Sequence, residues 1–299
     1  MSPRPVALRP PLEVMRPEPV GAVPAEGAVP GGVMYQIKLD GFRALAFVLP
    51  EGPVLQARSG RDLAPRFPEL LPALAALPVG SVLDGEVCAW HAGRFAFGEL
   101  LRTPAARARD GAAVAYIAFD ALTAPGGGRA APRDIRGRPL AERWEVLVDL
   151  LRGVAPPIEL VMATRDRAEA MAWFEQLVPL GVEGLIVKPL SGIYGGGSRW
   201  WKVRHTETVD GEAIALLGPP NRPRGLLVRL PDGRTVATTP TLNTLQAHQV
   251  AAVAAALLAG TDVDPEHGTV LRLAEPLAVE LRLGIGRHAT ARFVRVRGD

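Results

Sequence analysis

From Val33 the chain is built of short apolar runs: Met34–Ile37, Ala44–Leu49, Val54–Ala57, Val82–Val87 and Tyr116–Phe119. Gly, Pro, Asp or Arg separate them, which predicts strands joined by turns. Between them apolar positions recur at helical spacing. Phe67–Leu77 and Leu140–Leu151 predict two helices, the second with Pro139 suited to its first turn. Ala168–Val178 predicts a third, with Thr164 as N-cap. Val182–Lys188 reads as a short buried strand, Tyr194–Ser198 (YGGGS) as the start of a loop, and Trp200–Arg204 as a strand. Strands and helices do not strictly alternate, so the expected core is mixed α+β.

After His205 the pattern changes. Ala213–Leu217, Gly225–Leu230, Thr235–Thr238, Val279–Leu283 and Phe293–Val296 read as short strands, interrupted by one helix at about Thr244–Leu258. That arrangement predicts a small β-barrel of the OB-fold type. Three segments follow: a Pro/Gly-rich N-terminal arm at 1–32, a mixed domain at 33–206 and a barrel domain at 207–299.

Composition narrows the chemistry. At 48% hydrophobic and 22% charged residues, the chain is globular and not disordered. A single cysteine, Cys88, excludes a disulfide framework and a cysteine-based zinc cluster. No run of about 18 apolar residues exists to span a membrane. The arm lacks the apolar centre of a signal peptide, so the cytoplasm is the expected location. A net charge of +3 permits a nucleic-acid partner without demonstrating one. The cations are more telling: of 34, only Lys38, Lys188 and Lys202 are lysine. Arginine stays protonated and is a poor nucleophile, whereas lysine can lose its proton and attack an electrophile.

All three lysines lie in short polar clusters. Lys38-Leu39-Asp40-Gly41-Phe42-Arg43 puts a lysine at a strand end before an Asp-Gly turn. It is either a nucleophile or a solvated hairpin residue. In Asp84-Gly85-Glu86 a glutamate follows a second Asp-Gly turn and suits ribose hydroxyls or a metal. Phe119-Asp120 offers an aromatic for base stacking, or a core residue. Glu183-Gly184-Leu185-Ile186-Val187-Lys188 brackets a buried strand with two charges, which regular alternation sends to opposite faces. Trp200-Trp201-Lys202-Val203-Arg204 places two cations on one face, a phosphate clamp or a basic edge, and its tryptophans read as packing residues. Eight arginines between Arg102 and Arg143, Arg107 and Arg109 among them, either track a DNA backbone or form a solvated surface.

This ordered set, Lys-x-Asp-Gly-x-Arg, Asp-Gly-Glu, Phe-Asp, Glu-Gly-x-x-x-Lys and Trp-x-Lys-x-Arg, resembles the covalent nucleotidyltransferases, and within them the ATP-dependent DNA ligases of short bacterial repair type. The resemblance implies an α+β, ATP-grasp-like nucleotidyltransferase domain of antiparallel sheets and helices followed by a β-barrel OB-fold domain. It implies that Lys38 takes AMP from ATP, that Arg43 and Arg58 contact nucleotide and DNA 5′-phosphate, and that Glu86 holds the ribose. Phe119 would stack on adenine, and Glu86 and Glu183 would serve Mg²⁺ or Mn²⁺. Lys188, Lys202 and Arg204 would neutralise phosphate charge, and Arg295 and Arg297 would orient the departing pyrophosphate. A hinge at 205–208 would let the barrel swing. Gln36 stands where these ligases usually carry glutamate, which implies looser adenine specificity. Arg204 replaces a second lysine.

The implied function is sealing of nicks in duplex DNA through Lys-AMP and DNA-adenylate intermediates, in repair or recombination. The expected state is a cytoplasmic bacterial monomer working beside other DNA-repair proteins. The alternatives are an RNA ligase or GTP-dependent capping-type enzyme, and a non-catalytic OB-containing nucleic-acid-binding protein.

Overall fold

The computed structural model describes residues 8–126, 131–284 and 290–297, so the first seven residues of the arm lie outside it. The chain divides into two compact units, Met1–Arg204 and His205–Asp299.

The first unit holds two sheets. Five strands run in the order Glu18–Pro19, Trp201–Arg204, Gly184–Pro189, Val33–Lys38, Ala163–Thr164. The second sheet runs Ile158–Leu160, Ala113–Ala121, Val82–His91, Phe42–Leu49, Gly52–Ala57, with Arg94–Phe95 paired to Val82–His91. Alternation decides what each face buries. Val33, Tyr35, Leu185, Val187 and Val203 of the first sheet pack on Ala170, Met171 and Phe174 of the helix Arg167–Gln176. Ala44, Ala46 and Val48 of the second sheet pack with Leu147 and Leu151 of the helix Leu140–Leu151. The inner faces meet through Leu45, Phe47, Val82, Ile186 and Trp200. Each large side chain so buried contributes roughly 1.5–3 kcal/mol. The result is a helix–sheet–sheet–helix stack whose middle layer holds the polar clusters.

Several local expectations are corrected. The Lys38 strand and the Phe42 strand belong to different sheets, so Asp40-Gly41 is a crossover and not a hairpin. Gly41 makes the crossing because a Cβ there would stand 2.8 Å from Glu86 Cγ and collide with the Val87 carbonyl. Asp84-Gly85 lies inside the strand Val82–His91, at a register shift, and makes no turn. The helix expected over 67–77 is a 3-10 turn, Pro68–Leu70, and a short helix, Leu71–Ala75, because two prolines interrupt it. Asp166, not Thr164, caps the third helix, and Thr164 Oγ1 accepts instead from the Asp166 amide.

The second unit is one sheet in the order Thr235–Ala237, Gly225–Arg229, Thr206–Leu217, Gly268–Gly284, Leu258–Asp264, with Ala291–Val296 also paired to Gly268–Gly284. A parallel bridge between Thr238 and Ala291 curls it into the expected barrel form around Leu226, Val228, Val279, Leu281 and Phe293. The helix expected to reach Leu258 ends at Ala254. Leu258–Asp264 is a further strand, paired with the start of Gly268–Gly284. A capping box at Asn243 and Gln246 fixes the start of that helix. Among the described residues no helix is long and apolar enough to cross a membrane.

Candidate active site

Strand register assembles the site. Gly184 pairs with Lys38 on one side and Arg204 on the other, and Ile186 pairs with Gln36 and Lys202. Direct cross-strand neighbours share a face, so Gln36, Lys38, Lys202 and Arg204 rise from one surface of the first sheet. Arg43 and Glu86, themselves direct neighbours, come from the second sheet. Between the sheets lies a cavity of about 120 Å³, lined among others by Gln36, Lys38, Arg43, Glu86, Phe119, Ile186, Lys188 and Trp200.

Glu183 and Lys188 both serve this one site, contrary to the opposite faces that regular alternation predicts. Gly184 is the reason. Its φ of +149° is one that side-chain-bearing residues rarely adopt, and a Cβ would collide with the Val203 carbonyl and come within 2.9 Å of Arg204 Cα. The break turns the buried Glu183 carboxylate onto Lys38 Nζ, with which it makes an ion pair. The Glu183 amide donates to the Lys38 carbonyl at 2.9 Å. Arg204 Nε stands 3.9 Å from the same carboxylate. Glu183 Oε1 and Arg204 Nε are buried without a hydrogen-bond partner among the described residues.

Positive charge gathers around Lys38. The Lys202 amine is held below its usual value by burial and by Arg204, Lys38 and Arg58. Register puts Lys38, Lys202 and Arg204 in one cluster, and the exposed Arg58 adds its charge at Lys202. Burial pushes the Glu86 carboxyl up to about 7, against the pull of Lys38 and Arg43.

The other end of the cavity is aromatic. Phe119 and Trp200 meet edge to face at 6.2 Å. Lys188 Nζ lies 4.4 Å and 4.0 Å from their ring centroids. It also donates to the Phe119 carbonyl at 3.1 Å, the oxygen that Gln36 Nε2 reaches at 3.2 Å. Burial holds the Lys188 amine down to about 7. Lys188 therefore sits at the aromatic end, apart from the Lys202 cluster, and Trp200 is a cavity wall as well as a packing residue.

Sequence reasoning missed the polar frame behind these walls. Asp84 and Asp120 are direct cross-strand neighbours, both fully buried. Asp84 accepts from Arg43 at 3.0 Å and 2.6 Å and from the Tyr194 hydroxyl at 2.7 Å. Asp120 accepts from Arg143 at 2.8 Å and 2.9 Å. Arg143 is thus a core residue and does not track DNA. Arg107 is equally buried and pairs with Glu69. The signal was present: in Leu140–Leu151 the buried stripe is Leu140, Arg143, Leu147, Leu151, and an arginine in an apolar stripe implies a buried acid.

Arg295 and Arg297 belong to the second unit, where they pair with Glu280 and with Asp210 and Glu280 respectively. As to a metal, no group of three His, Cys, Asp or Glu exists among the described residues. Mg²⁺ keeps most of its waters and needs only one or two carboxylates. The orphaned Oε1 of Glu183, with Glu86 also near Lys38, fits that demand.

The chain is 34% identical over 190 residues to DNA ligase C2 of Mycolicibacterium smegmatis, covering 61% of this chain and 52% of that protein. It is 32% identical over 211 residues to DNA ligase C of Mycobacterium tuberculosis, covering 67% and 57%. A probable DNA ligase of Beutenbergia cavernae is 35% identical over 233 residues, covering 74% and 43%. The chain thus spans about half the length of the curated relatives it matches. In fold it resembles a Lig E DNA ligase structure (TM-score 0.56, 19% identity, covering 94% and 99%). It also resembles the ligase domain of M. tuberculosis LigD (TM-score 0.53, 22% identity, 94% of each chain). Residues 26–204, well over half the chain, match the family model of the ATP-dependent DNA ligase domain, and the chain belongs to that family.

Proposed function

We propose that this chain seals nicks in duplex DNA with ATP, beside other repair proteins, using Lys38 as nucleophile. Residues 33–206 act as the adenylation domain and 207–299 as the OB domain. One observation carries the reading: Lys38 stands where an aromatic slot for a base adjoins a cluster of cations for phosphates.

Adenine enters between Phe119 and the apolar wall at Ile186, with Gln36 and Lys188 at its edge. Gln36 Nε2 is engaged with the Phe119 carbonyl, which leaves Oε1 to accept from the adenine amino group. Glu86 receives the ribose. Lys38 Nζ then forms a bond to the α-phosphorus as the bond to pyrophosphate breaks. AMP passes next to the DNA 5′-phosphate, and the 3′-hydroxyl displaces it to form the phosphodiester.

Transfer of this kind depends on position and charge stabilisation. Lys202, Arg204 and Arg58 supply fixed positive charge beside Lys38. When bound, Mg²⁺ held by Glu183 and Glu86 would neutralise phosphate oxygens and help offset repulsion during attack. Arg295 and Arg297 are suited to pyrophosphate because both guanidinium groups reach solvent, and Arg297 also holds an exposed pair with Asp210. An exposed pair of that kind is worth only about 0–1 kcal/mol and exchanges readily for phosphate.

The test is a nicked duplex carrying a 5′-phosphate, incubated with protein, Mg²⁺ and either ATP or GTP. Sealing of the DNA nick with ATP is the expected result. Sealing confined to nicks with RNA strands, or use of GTP alone, would replace this reading with the RNA-ligase or capping-type alternative.

A further inference from the structure

We propose that the N-terminal segment Leu12–Val20 is a working part of the nucleotide site, and that Gln56 is the positioning residue that fastens it. This rests on the ligase reading of the cleft. The segment precedes residues 26–204, which match the family.

The segment ties both walls of the cleft together. On the second sheet, the buried Gln56 side chain accepts from the Leu12 amide at 2.8 Å and donates to the Leu12 carbonyl at 2.7 Å. Three residues on, the Met15 carbonyl accepts from Arg43 Nη1. Asp84 already holds the rest of that guanidinium, so Met15 fixes its remaining edge. Arg43 lines the cavity and lies 5.4 Å from the centroids of both Phe119 and Trp200. On the first sheet, Glu18 and Pro19 pair in parallel with Trp201 and Lys202. The Glu18 amide donates to the Trp200 carbonyl at 2.8 Å, and the Val20 amide to the Lys202 carbonyl at 3.1 Å. Leu12, Val14 and Met15 pack into the cluster that contains Tyr194, Trp200 and Phe119.

One strap of nine residues therefore sets an arginine and an aromatic wall at the base end and the strand of Lys202 at the phosphate end. The cleft opens between two sheets, and a ligand gripping both walls needs their spacing fixed. Loosening the strap lets the walls separate and weakens ATP without removing any group that touches it. By reciprocity, bound ATP must tighten the strap.

The direct test is Gln56→Leu in the full chain, followed by self-adenylation with labelled ATP. Gln56 does not line the cavity, so the ATP concentration for half-maximal labelling rate should rise on the order of tenfold while the limiting rate constant stays within about threefold. An unchanged half-saturating ATP concentration in a protein that still melts like the parent overturns the proposal. Hydrogen exchange on the unaltered chain guards against a variant that fails to fold. ATP should slow exchange at the Leu12, Glu18 and Val20 amides together with amides of the cleft strands. Slowing of the cleft strands alone overturns the strap. No slowing anywhere, with no covalent label, overturns the ligase reading itself.

Discussion

Gly184→Ala tests how the site is assembled. The backbone at Gly184 has φ +149°, and holding a non-glycine residue in such a region costs about 1–3 kcal/mol. The new methyl would also collide with the Val203 carbonyl and lie 2.9 Å from Arg204 Cα, both backbone atoms that cannot rotate aside. Forcing them apart costs about another 1–3 kcal/mol. The sum, about 4 kcal/mol, lowers the melting temperature by roughly 8–16 °C for a unit of this size. Gly93→Ala is the control: φ there is +78°, but a Cβ would meet open space. It should cost only about 1–2 kcal/mol. Thermal unfolding by circular dichroism measures both. Because Glu183 and Arg204 flank the strained residue, Gly184→Ala should also depress self-adenylation at temperatures where it remains folded. If the two variants melt together, the argument that Gly184 aims Glu183 at Lys38 is wrong.

Other consequences are equally open to measurement. Burial lowers the Lys188 amine from 10.5 to about 7. Between those values the unfolded chain binds a proton that the folded chain does not, so the cost is full below about pH 7 and fades toward 10.5. Lys188→Met should therefore stabilise the fold by up to a few kcal/mol near about pH 6, with the gap closing by about pH 10; an equal gap at both refutes it. Arg143→Met should cost about 3–5 kcal/mol in urea unfolding because it strands the buried Asp120, and pairing it with Asp120→Leu should recover most of that loss. Gln36→Glu should sharpen ATP over GTP on the order of tenfold in labelling assays, since the Gln36 amide can turn over to donate to a guanine oxygen and a carboxylate cannot. Asp210→Ala should leave the melting temperature nearly unchanged, because it severs only the exposed pair with Arg297.

Much of the site was legible because lysine is scarce. Lys38 and Lys188 line one cavity, and Lys202 joins Lys38 beside it. The alternation of Lys202 and Arg204 could also be read directly from the sequence, since both lie on a regular strand. Departures from regularity could not. Glu183 reaches Lys38 only through the broken backbone at Gly184, and no periodic rule anticipates that. The same holds for Asp40-Gly41 and Asp84-Gly85, where the dipeptide of a tight turn serves as a crossover and as the interior of a strand. Local propensity favours the turn, and close approach between strands overrides it. Burial of Arg143 and Asp120 depends on contacts 23 residues apart, which sequence alone shows only as a misfit in a leucine stripe. The sequence shows the strap only as part of a Pro/Gly-rich arm, because its bonds run through backbone carbonyls and amides, which carry no residue signature.

The central claim is that Lys38 becomes covalently adenylated. Incubating the full chain with α-labelled ATP and Mg²⁺, then separating it on a denaturing gel, tests it most directly. The account predicts a labelled band that Lys38→Ala abolishes in protein that circular dichroism shows to be folded at the assay temperature. A band that survives Lys38→Ala, or a folded parent that takes no label, would contradict it.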